Sequence, residues 1–140
     1  MKQIEPLFIF QDDREPKSIQ LLADAMNSGI VFERKRMLTG DYILDNNICI
    51  ERKEINDFCS SIIDKRLDSQ IEKMKKDYKE FYIIVIGHIN QRTSEIHEHC
   101  ILGKMVSIIV NHKVPILFVD DEFQFLYLLK CLSNKTDKIE

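Results

Sequence analysis

The amino-acid sequence predicts an α/β fold, in which helices flank a mixed central β-sheet in a three-layer α/β/α arrangement. Short apolar runs typical of strands alternate with longer segments whose apolar residues recur at helical spacing. In chain order the predicted elements are β, α, β, β, β, α, β, α, β and α, and the three consecutive strands include a hairpin. This order is that of an α/β sandwich with a mixed sheet.

The first strand and helix are predicted near the N-terminal end of the sequence. The run Leu7–Phe10 is short and wholly apolar, which is typical of a strand buried on both faces. Pro16 is expected to open a helix, where its missing N–H costs nothing, and Asn27–Gly29 is expected to close it. A second strand begins at Ile30 and becomes basic at its end.

Apolar runs on either side of Asp45–Asn47 predict a β-hairpin between Tyr42 and Ile50. Because side chains alternate across a strand, Asp41 shares the face of Glu51 only if paired positions sum to an even number. A three-residue loop meets this condition, whereas a two-residue loop places the two acids on opposite faces unless a bulge intervenes. We expect the three-residue loop.

The second half of the chain predicts helices in alternation with buried strands. A helix from Glu54 to about Glu80 is either continuous or broken near Lys65. The later elements are a strand at Phe81–Ile86, a helix from Glu95 to about His112 capped by Ser94, a strand at Val114–Val119, and a last helix, capped by Asp120 or Asp121, to about Leu132.

Length and composition predict one domain of residues 1–140, with a core at about 7–132 and a polar tail at 133–140. The 140 residues are 44% hydrophobic and 31% charged, which is sufficient for a substantial core. There is no apolar run near about 18 residues and no signal-peptide pattern, so we expect an intracellular protein without membrane contact, in the cytoplasm or nucleoid, or in a eukaryotic nucleus. The scattered cysteines are expected to be reduced core thiols.

The formal net charge is -3, which argues against an autonomous DNA-binding protein. It does not exclude a metal-dependent nuclease, because acidic side chains build a metal site. Asp12 and Glu15 follow the first strand, and Asp41 precedes the hairpin. Glu51 ends the hairpin, with Lys53 on the same face. Each acid alone is better explained as a solvated strand end, whereas the whole set beside an E-x-K triplet favours a site.

Converging carboxylates suit a hard cation such as Mg2+, which takes oxygen ligands. The ion can generate a hydroxide nucleophile near neutral pH and offset charge on a phosphate. We expect Lys53 to position the attacking water or to neutralise the charge that develops on the phosphate.

Four sequence motifs occur in order along the chain. Asp12–Glu15 fits D-x-R-E, and Gly40–Tyr42 fits G-D-Y. Glu51–Asp57 fits E-R-K-x-x-x-D, and Ser61–Gln70 fits S-I-x-D-x-R-L-x-x-Q. Together they resemble the nuclease domain of the XPF/Hef family of structure-specific endonucleases, over about residues 7 to 132. The resemblance implies a restriction-endonuclease-like fold that cleaves branched DNA, such as 3′ flaps and forks, near the junction, with Mg2+ or Mn2+, in DNA repair or recombination.

By this resemblance Asp12, Asp41 and Glu51 correspond to the metal ligands, with a carbonyl near Arg52 as a further ligand. Lys53 corresponds to the catalytic lysine. The supporting charged residues are Arg14, Glu15 and Arg52, with Asp57 either orienting Arg52 or capping the next helix. Arg66 and Gln70 either face the scissile strand or stabilise the site.

Candidate phosphate contacts are the basic residues Arg34, Lys35, Arg36, Lys65 and Arg66. The later lysines Lys73, Lys75, Lys76 and Lys79 are balanced by neighbouring acids and are interpreted as a solvated helix face. The sequence has neither the helix-hairpin-helix module nor the helicase domain of family members. Recognition of branched DNA is therefore expected from the rest of a longer protein or from a separate DNA-binding or clamp partner.

The two late helices, at about 95–112 and 121–132, carry apolar residues on nearly every side. One face of each can pack on the sheet, and the other favours a homodimer interface over a few exposed apolar residues. Family members also dimerise through late helices. A non-catalytic dimerising DNA-repair scaffold is the alternative function, and the intact acids and lysine favour an active subunit. Single-stranded DNA or a duplex site is the alternative substrate.

Overall fold

The structure, a computed structural model, describes residues 5–45 and 47–134. The elements follow the predicted order. They are β1 (Leu7–Asp12), α1 (Lys17–Ala25), β2 (Ile30–Lys35), β3 (Tyr42–Ile43), β4 (Cys49–Glu54), α2 (Ile55–Ile63), α3 (Leu67–Asp77), β5 (Phe81–Ile86), α4 (Glu98–Val110), β6 (Ile116–Val119) and α5 (Glu122–Asn134). No helix in the described part of the chain is long and apolar enough to cross a membrane.

The strands form one sheet in the order β2-β1-β3-β4-β5-β6. β3 is antiparallel to both of its neighbours, and the other adjacent pairs are parallel, so the predicted mixed sheet is confirmed. α1 and α5 pack on one face of the sheet. α2, α3 and α4 pack on the other face, which confirms the three-layer arrangement.

The register of the hairpin matches the odd-loop prediction. Tyr42 pairs with Ile50, so the paired numbers sum to an even value and Asp41 falls opposite Glu51. The Leu44 N–H donates to the Ile48 carbonyl at 2.9 Å, which leaves three residues in the loop. One of these three, Asn46, lies outside the described residues.

β1 is buried on one face only, so the prediction of a strand buried on both faces was wrong. Ile9 is 1% exposed, whereas Phe8 is 61% and Phe10 37% exposed on the opposite face. The reason is that the helices on that side pack over β4, β5 and β6, and the core there contains no β1 or β2 side chain.

The helices match the predictions at one break and differ from them at two boundaries. The helix after the hairpin is broken at Lys65, whose φ is 60°, as one of the two predicted alternatives requires. α4 begins three residues late, because His97 and not Ser94 caps it by accepting the His99 N–H at 3.0 Å. α5 extends to Asn134, and Ser133 is buried within it, so the polar tail does not begin at Ser133. Residues 135–140 lie outside the described residues.

The four cysteines are free thiols, as expected. Cys49 and Cys59 are buried in the core, but Cys100 is exposed on α4 and Cys131 is half-buried. The prediction of reduced thiols is confirmed, while the placement of these thiols in the core holds fully for two of them.

Candidate active site

Three strand ends meet at one edge of the sheet. Asp12 ends β1 and Asp41 lies just before β3, and the Asp12 N–H donates to the Asp41 carbonyl at 2.8 Å. The Asp41 N–H donates in turn to the carbonyl of Ile50, next to Glu51 on β4, at 2.9 Å. An open cavity of about 340 Å3 lies over this junction, and its lining includes Asp12, Glu15, Asp41 and Glu51. The predicted acids therefore line one cavity.

Asp12 is buried, and its carboxylate is fully engaged by neighbours. Arg14 donates to it through Nε at 2.8 Å and through Nη2 at 3.1 Å, and the Met37 N–H donates to it at 2.9 Å. Burial alone would raise the pKa of Asp12, but these hydrogen bonds outweigh burial and hold the pKa below its usual value. Arg14 also donates to the Met37 carbonyl at 2.8 Å, which anchors the guanidinium.

Asp41 and Glu51 share the other side of the cavity. The Asp41 carboxylate accepts the Arg52 backbone N–H at 2.8 Å, and burial raises the pKa of Asp41. Burial and the charge of Asp41 raise the pKa of Glu51 to about 8. Lys53 lies with its Nζ 3.5 Å from Glu51 Oε2 and is only 8% exposed, so a single buried ammonium partly offsets two acids.

Arg52 points to the opposite face of β4 and binds three carboxylates there, as the alternation of side chains requires. Its guanidinium lies 3.5 Å from Glu15, 3.2 Å from Glu54 and 3.2 Å from Glu122. Burial, together with the charge of Asp41, raises the pKa of Glu15 to about 7, although Arg52 opposes the shift. Arg52 therefore links the end of β4 to the first turn of α5.

Three further predicted residues differ in their position relative to the cavity. Gln70 lines the acid cavity, and its Oε1 is buried without a hydrogen-bond partner among the described residues. Arg66 pairs with Asp64 at 3.3 Å at the start of α3 and does not line that cavity. Asp57 is exposed in the first turn of α2, while Glu54 is the N-cap residue and provides no side-chain cap. The ion pairs of Arg52 go to other carboxylates, so the expectation that Asp57 orients Arg52 finds no contact in the described chain.

The five basic residues predicted as phosphate contacts do not form one surface. Arg34 is used structurally, because it donates to the Gln11 side chain at 2.6 Å and to the carbonyls of Asp13 and Glu15 at 2.9 and 2.8 Å. Lys35 lies 4.0 Å above the Phe10 ring. The other three, Arg36, Lys65 and Arg66, are exposed.

Three groups that contact the predicted site residues or line the cavity were not predicted from the sequence. The Met37 N–H holds Asp12, Glu122 holds Arg52 from 70 residues away, and Lys73 lines the cavity itself. No local pattern singles out the first two, because the contacts depend on the packing of distant segments. The spacing of Gln70 and Lys73 on α3, one helical turn apart, is a signal that could have found Lys73.

The oxygen donors of the cavity suit a hard cation, although the side chains are not arranged in a metal-binding geometry. Among residues 5–45 and 47–134 no three carboxylate, histidine or cysteine side chains stand together as a metal centre. The hydrogen bonds from Arg14 and Met37 account for this at Asp12. Asp41 and Glu51 provide oxygen donors, and a cation bound between them would offset the burial and the charge of Asp41 that raise the pKa of Glu51.

Comparison with known proteins identifies relatives along nearly the whole chain. A family model described as the ERCC4 domain matches residues 11–132. The chain is 34% identical over 131 residues to MJ1505 of Methanocaldococcus jannaschii, whose name describes an ATP-dependent RNA helicase, with 94% of this chain and 16% of that protein covered. It is 27% identical over 129 residues to the 3′-flap repair endonuclease Xpf of Saccharolobus solfataricus, with 91% and 54% covered.

A third relative is the DNA repair endonuclease XPF of Cricetulus griseus, which is 30% identical over 105 residues, with 75% of this chain and 11% of that protein covered. The chain thus spans between about one tenth and about one half of these relatives. Among solved structures, XPF from Aeropyrum pernix superposes with a TM-score of 0.83 at 22% identity, with 94% of this chain and 65% of that chain covered. The same protein in complex with DNA gives a TM-score of 0.81, with 94% and 66% covered. These superpositions confirm the predicted fold.

Proposed function

Because the chain belongs to the ERCC4 domain family, the family of the XPF endonucleases, we propose that it is a metal-dependent endonuclease domain that cleaves branched DNA near the junction. The predicted relationship to the XPF/Hef nucleases is confirmed. One observation carries the proposal: Asp12, Glu15, Asp41 and Glu51, from three separate strand ends, line a single open cavity. Folding alone does not require four buried or half-buried acidic side chains to share one cavity, so their clustering indicates a functional site.

The reaction is hydrolysis of a phosphodiester. A water oxygen forms a new bond to phosphorus, the bond from phosphorus to a sugar oxygen breaks, and the water proton leaves with the solvent or the leaving group. Asp41 and Glu51 would hold a Mg2+ or Mn2+ ion, and Asp12 would join them as a further ligand by exchanging a hydrogen bond from Arg14 or Met37 for the ion. When bound, the ion supplies a lowered water pKa and offsets charge on the phosphate.

The protein's own residues have distinct tasks in this proposal. Lys53, held 3.5 Å from Glu51, orients the attacking water or stabilises the negative charge that develops on the phosphate. Arg14 keeps Asp12 ionised and positioned through two hydrogen bonds. Arg52 fixes the direction of β4 from the opposite face, so that Glu51 lines the cavity and Lys53 lies behind it, in contact with Glu51.

Cleavage assays on a panel of DNA structures test the proposal. Labelled 3′-flap, fork, single-stranded and plain duplex substrates would be incubated with Mg2+ or Mn2+ at low salt, because the net charge of -3 predicts weak and salt-sensitive binding. We expect incision near the junction of the flap or fork, as the name of the Saccharolobus solfataricus relative suggests. Equal cleavage of single strands or plain duplex would contradict the branched-DNA assignment.

The second part of the proposal is a homodimer through α4 and α5. These helices expose large apolar side chains to solvent, which a chain of this size rarely does without a partner. The exposed residues are Leu102, Val106, Ile109, Val110, Phe123 and Tyr127, of which Val106 is 60% and Tyr127 67% exposed.

Light scattering measures the oligomeric state directly. The wild-type chain is expected to be a dimer, and Val106→Glu or Tyr127→Glu is expected to give a folded monomer, because both side chains point away from the core. A monomeric wild type would contradict the interface.

A non-catalytic dimerising scaffold of the same fold is the alternative. It is favoured by one observation, the engagement of both Asp12 oxygens by Arg14 and Met37 in the described residues. A folded dimer that binds branched DNA and never cleaves it in Mg2+ or Mn2+ would support this alternative.

A further inference from the structure

The acid cavity opens into a second cavity along α3. This second cavity, of about 540 Å3, lies between the β2–β3 loop and the C-terminal half of α3. Leu38 and Thr39 line both cavities, so the two adjoin at the β2–β3 loop. The Thr39 hydroxyl donates to the Asp77 carboxylate at 2.6 Å, which fixes the loop against the helix. Together the two cavities form a groove that leads away from the acids, here called the α3 groove.

Lysines of α3 face this groove at intervals of one helical turn. Lys73 lines the acid cavity and Lys76 lines the second cavity, so the two lie on one side of the helix. Neither occurs in an ion pair with any described residue. Lys75 behaves differently, since it pairs with Glu72 at 4.0 Å and lines neither cavity. All four lysines are exposed, as the sequence-based interpretation of a solvated face expects, and Lys73 and Lys76 in addition line the groove.

The opposite wall of the groove is also basic. Lys35 and Arg36, at the end of β2, line the second cavity. Arg36 also pairs with Asp13 at 2.6 Å, and Asp77 is the acid within the second cavity. Four cations therefore face two carboxylates that have protein partners, and the net charge of the groove beyond the acids is positive.

An apolar side chain lies where the two cavities join. Leu38 is 89% exposed, the largest exposed fraction among the large hydrophobic residues of the described chain. The next residue, Thr39, is buried and hydrogen-bonded, so the loop that presents Leu38 is anchored. An anchored, exposed leucine between basic walls matches a surface that contacts the flat face of a nucleobase.

We propose that the α3 groove binds one single strand of DNA as the strand leaves the catalytic cavity. Lys73 and Lys76 contact successive phosphates, Lys35 and Arg36 contact the backbone from the other wall, and Leu38 packs on an unpaired base. A duplex does not fit this arrangement, because its base faces are already stacked on one another. The inference rests on the proposed function for the class of ligand, and it identifies the path of the single-stranded arm.

Fluorescence anisotropy of a labelled oligothymidylate, without divalent metal, measures this binding apart from cleavage. The test variant is the double change Lys73→Ala with Lys76→Ala. The matched control is Lys75→Ala with Lys79→Ala, which has the same net charge and removes two lysines that line neither cavity. Each lost phosphate contact lowers the slope of log K against log salt by about 0.7, so the test variant should lose about 1.4 units of slope. The control should keep the wild-type slope.

A third variant, Leu38→Ser, separates the base contact from the charge contacts. It should weaken binding of the oligothymidylate without changing the salt slope, because no cation is lost. Equal losses of affinity and of salt slope in the two double variants would refute binding in the α3 groove, since net charge alone would then explain the binding. Tighter binding to a duplex of the same length would also overturn it, as would no detectable binding at low salt.

The outcome is independent of the proposed nuclease activity. A wild-type protein that binds single strands through Lys73 and Lys76 but cleaves nothing would refute the proposed function and keep the groove. A protein that cleaves flaps, while the Lys73 and Lys76 variant binds and cleaves as the wild type does, would refute the groove and keep the function.

Discussion

Glu51→Gln is predicted to stabilise the metal-free protein while removing the proposed activity. The change removes a negative charge from a half-buried position beside Asp41 and keeps the size of the side chain and an oxygen that can accept from Lys53. Burial and the charge of Asp41 raise the pKa of Glu51 from 4.5 to about 8 in the folded chain. The folded protein therefore resists ionisation of a group that ionises freely when the chain is unfolded.

The sign and size of the effect follow from this shift. Between the two pKa values the folded state keeps a proton that the unfolded state has released, so the free energy of unfolding falls as the pH rises. For a shift from 4.5 to about 8, the penalty is about 1 kcal/mol at pH 5 and about 4 kcal/mol at pH 8. Glu51 alone should therefore lower the free energy of unfolding by about 3 kcal/mol between these pH values, which is roughly 10 °C in Tm for a domain of this size.

Thermal unfolding in EDTA at several pH values measures the difference. The Tm of Glu51→Gln minus that of the wild type should grow steadily from about pH 5 to about pH 8. Glu95→Gln, at an exposed position before α4, is the control and should show a constant difference. Mg2+ or Mn2+ should then raise the Tm of the wild type and leave the variant unchanged. A Tm difference between Glu51→Gln and the wild type that does not change with pH would refute the claim that burial and the charge of Asp41 raise the pKa of Glu51.

Other predictions test the supporting contacts. Arg52→Met should lower the free energy of unfolding by about 3 to 5 kcal/mol in urea titrations, because it leaves three carboxylates without their shared cation. A loss below about 1 kcal/mol would contradict the stabilising role of these buried ion pairs. Gly40→Ala should cost about 2 to 4 kcal/mol, because φ is +79° and the new Cβ would collide with the Cys49 side chain; an unchanged urea midpoint would contradict it. If Arg52 positions β4, Glu122→Gln should lower the cleavage rate constant by a larger factor than it changes the Michaelis constant, and Glu122→Asp should restore the rate. Equal effects of the two variants would argue for a purely structural contact.

The sequence predicted the parts of the site that depend on local pattern. The parity of the hairpin loop follows from side-chain alternation alone, and the structure has the even register that places Asp41 opposite Glu51. The strand at Phe81–Ile86 has the predicted bounds, because a continuous apolar run between polar segments has few other interpretations. The opposed directions of Arg52 and Lys53 follow from the same alternation.

The parts that could not be predicted depend on contacts between distant segments. Glu122 meets Arg52 only because α5 packs on the sheet beside β4, and no feature near residue 122 indicates it. The solvent-exposed face of β1 was not predicted, because an apolar run gives no information on how far the helices α2, α3 and α4 extend over the sheet. Arg34 was assigned to DNA because its charge is visible in the sequence, whereas its hydrogen bonds to Gln11 in β1 and to two carbonyls of the segment after β1 are not.

The most direct test of the central claim is incision of a labelled 3′-flap DNA by the wild type and by Lys53→Ala, with Mg2+, with Mn2+ and with EDTA. We expect cuts near the junction that require the metal and are lost in Lys53→Ala, while the variant remains folded and keeps its affinity for the flap. Incision that persists in EDTA, or that survives in a folded Lys53→Ala variant at the wild-type rate, would contradict the assignment of this cavity as the catalytic site.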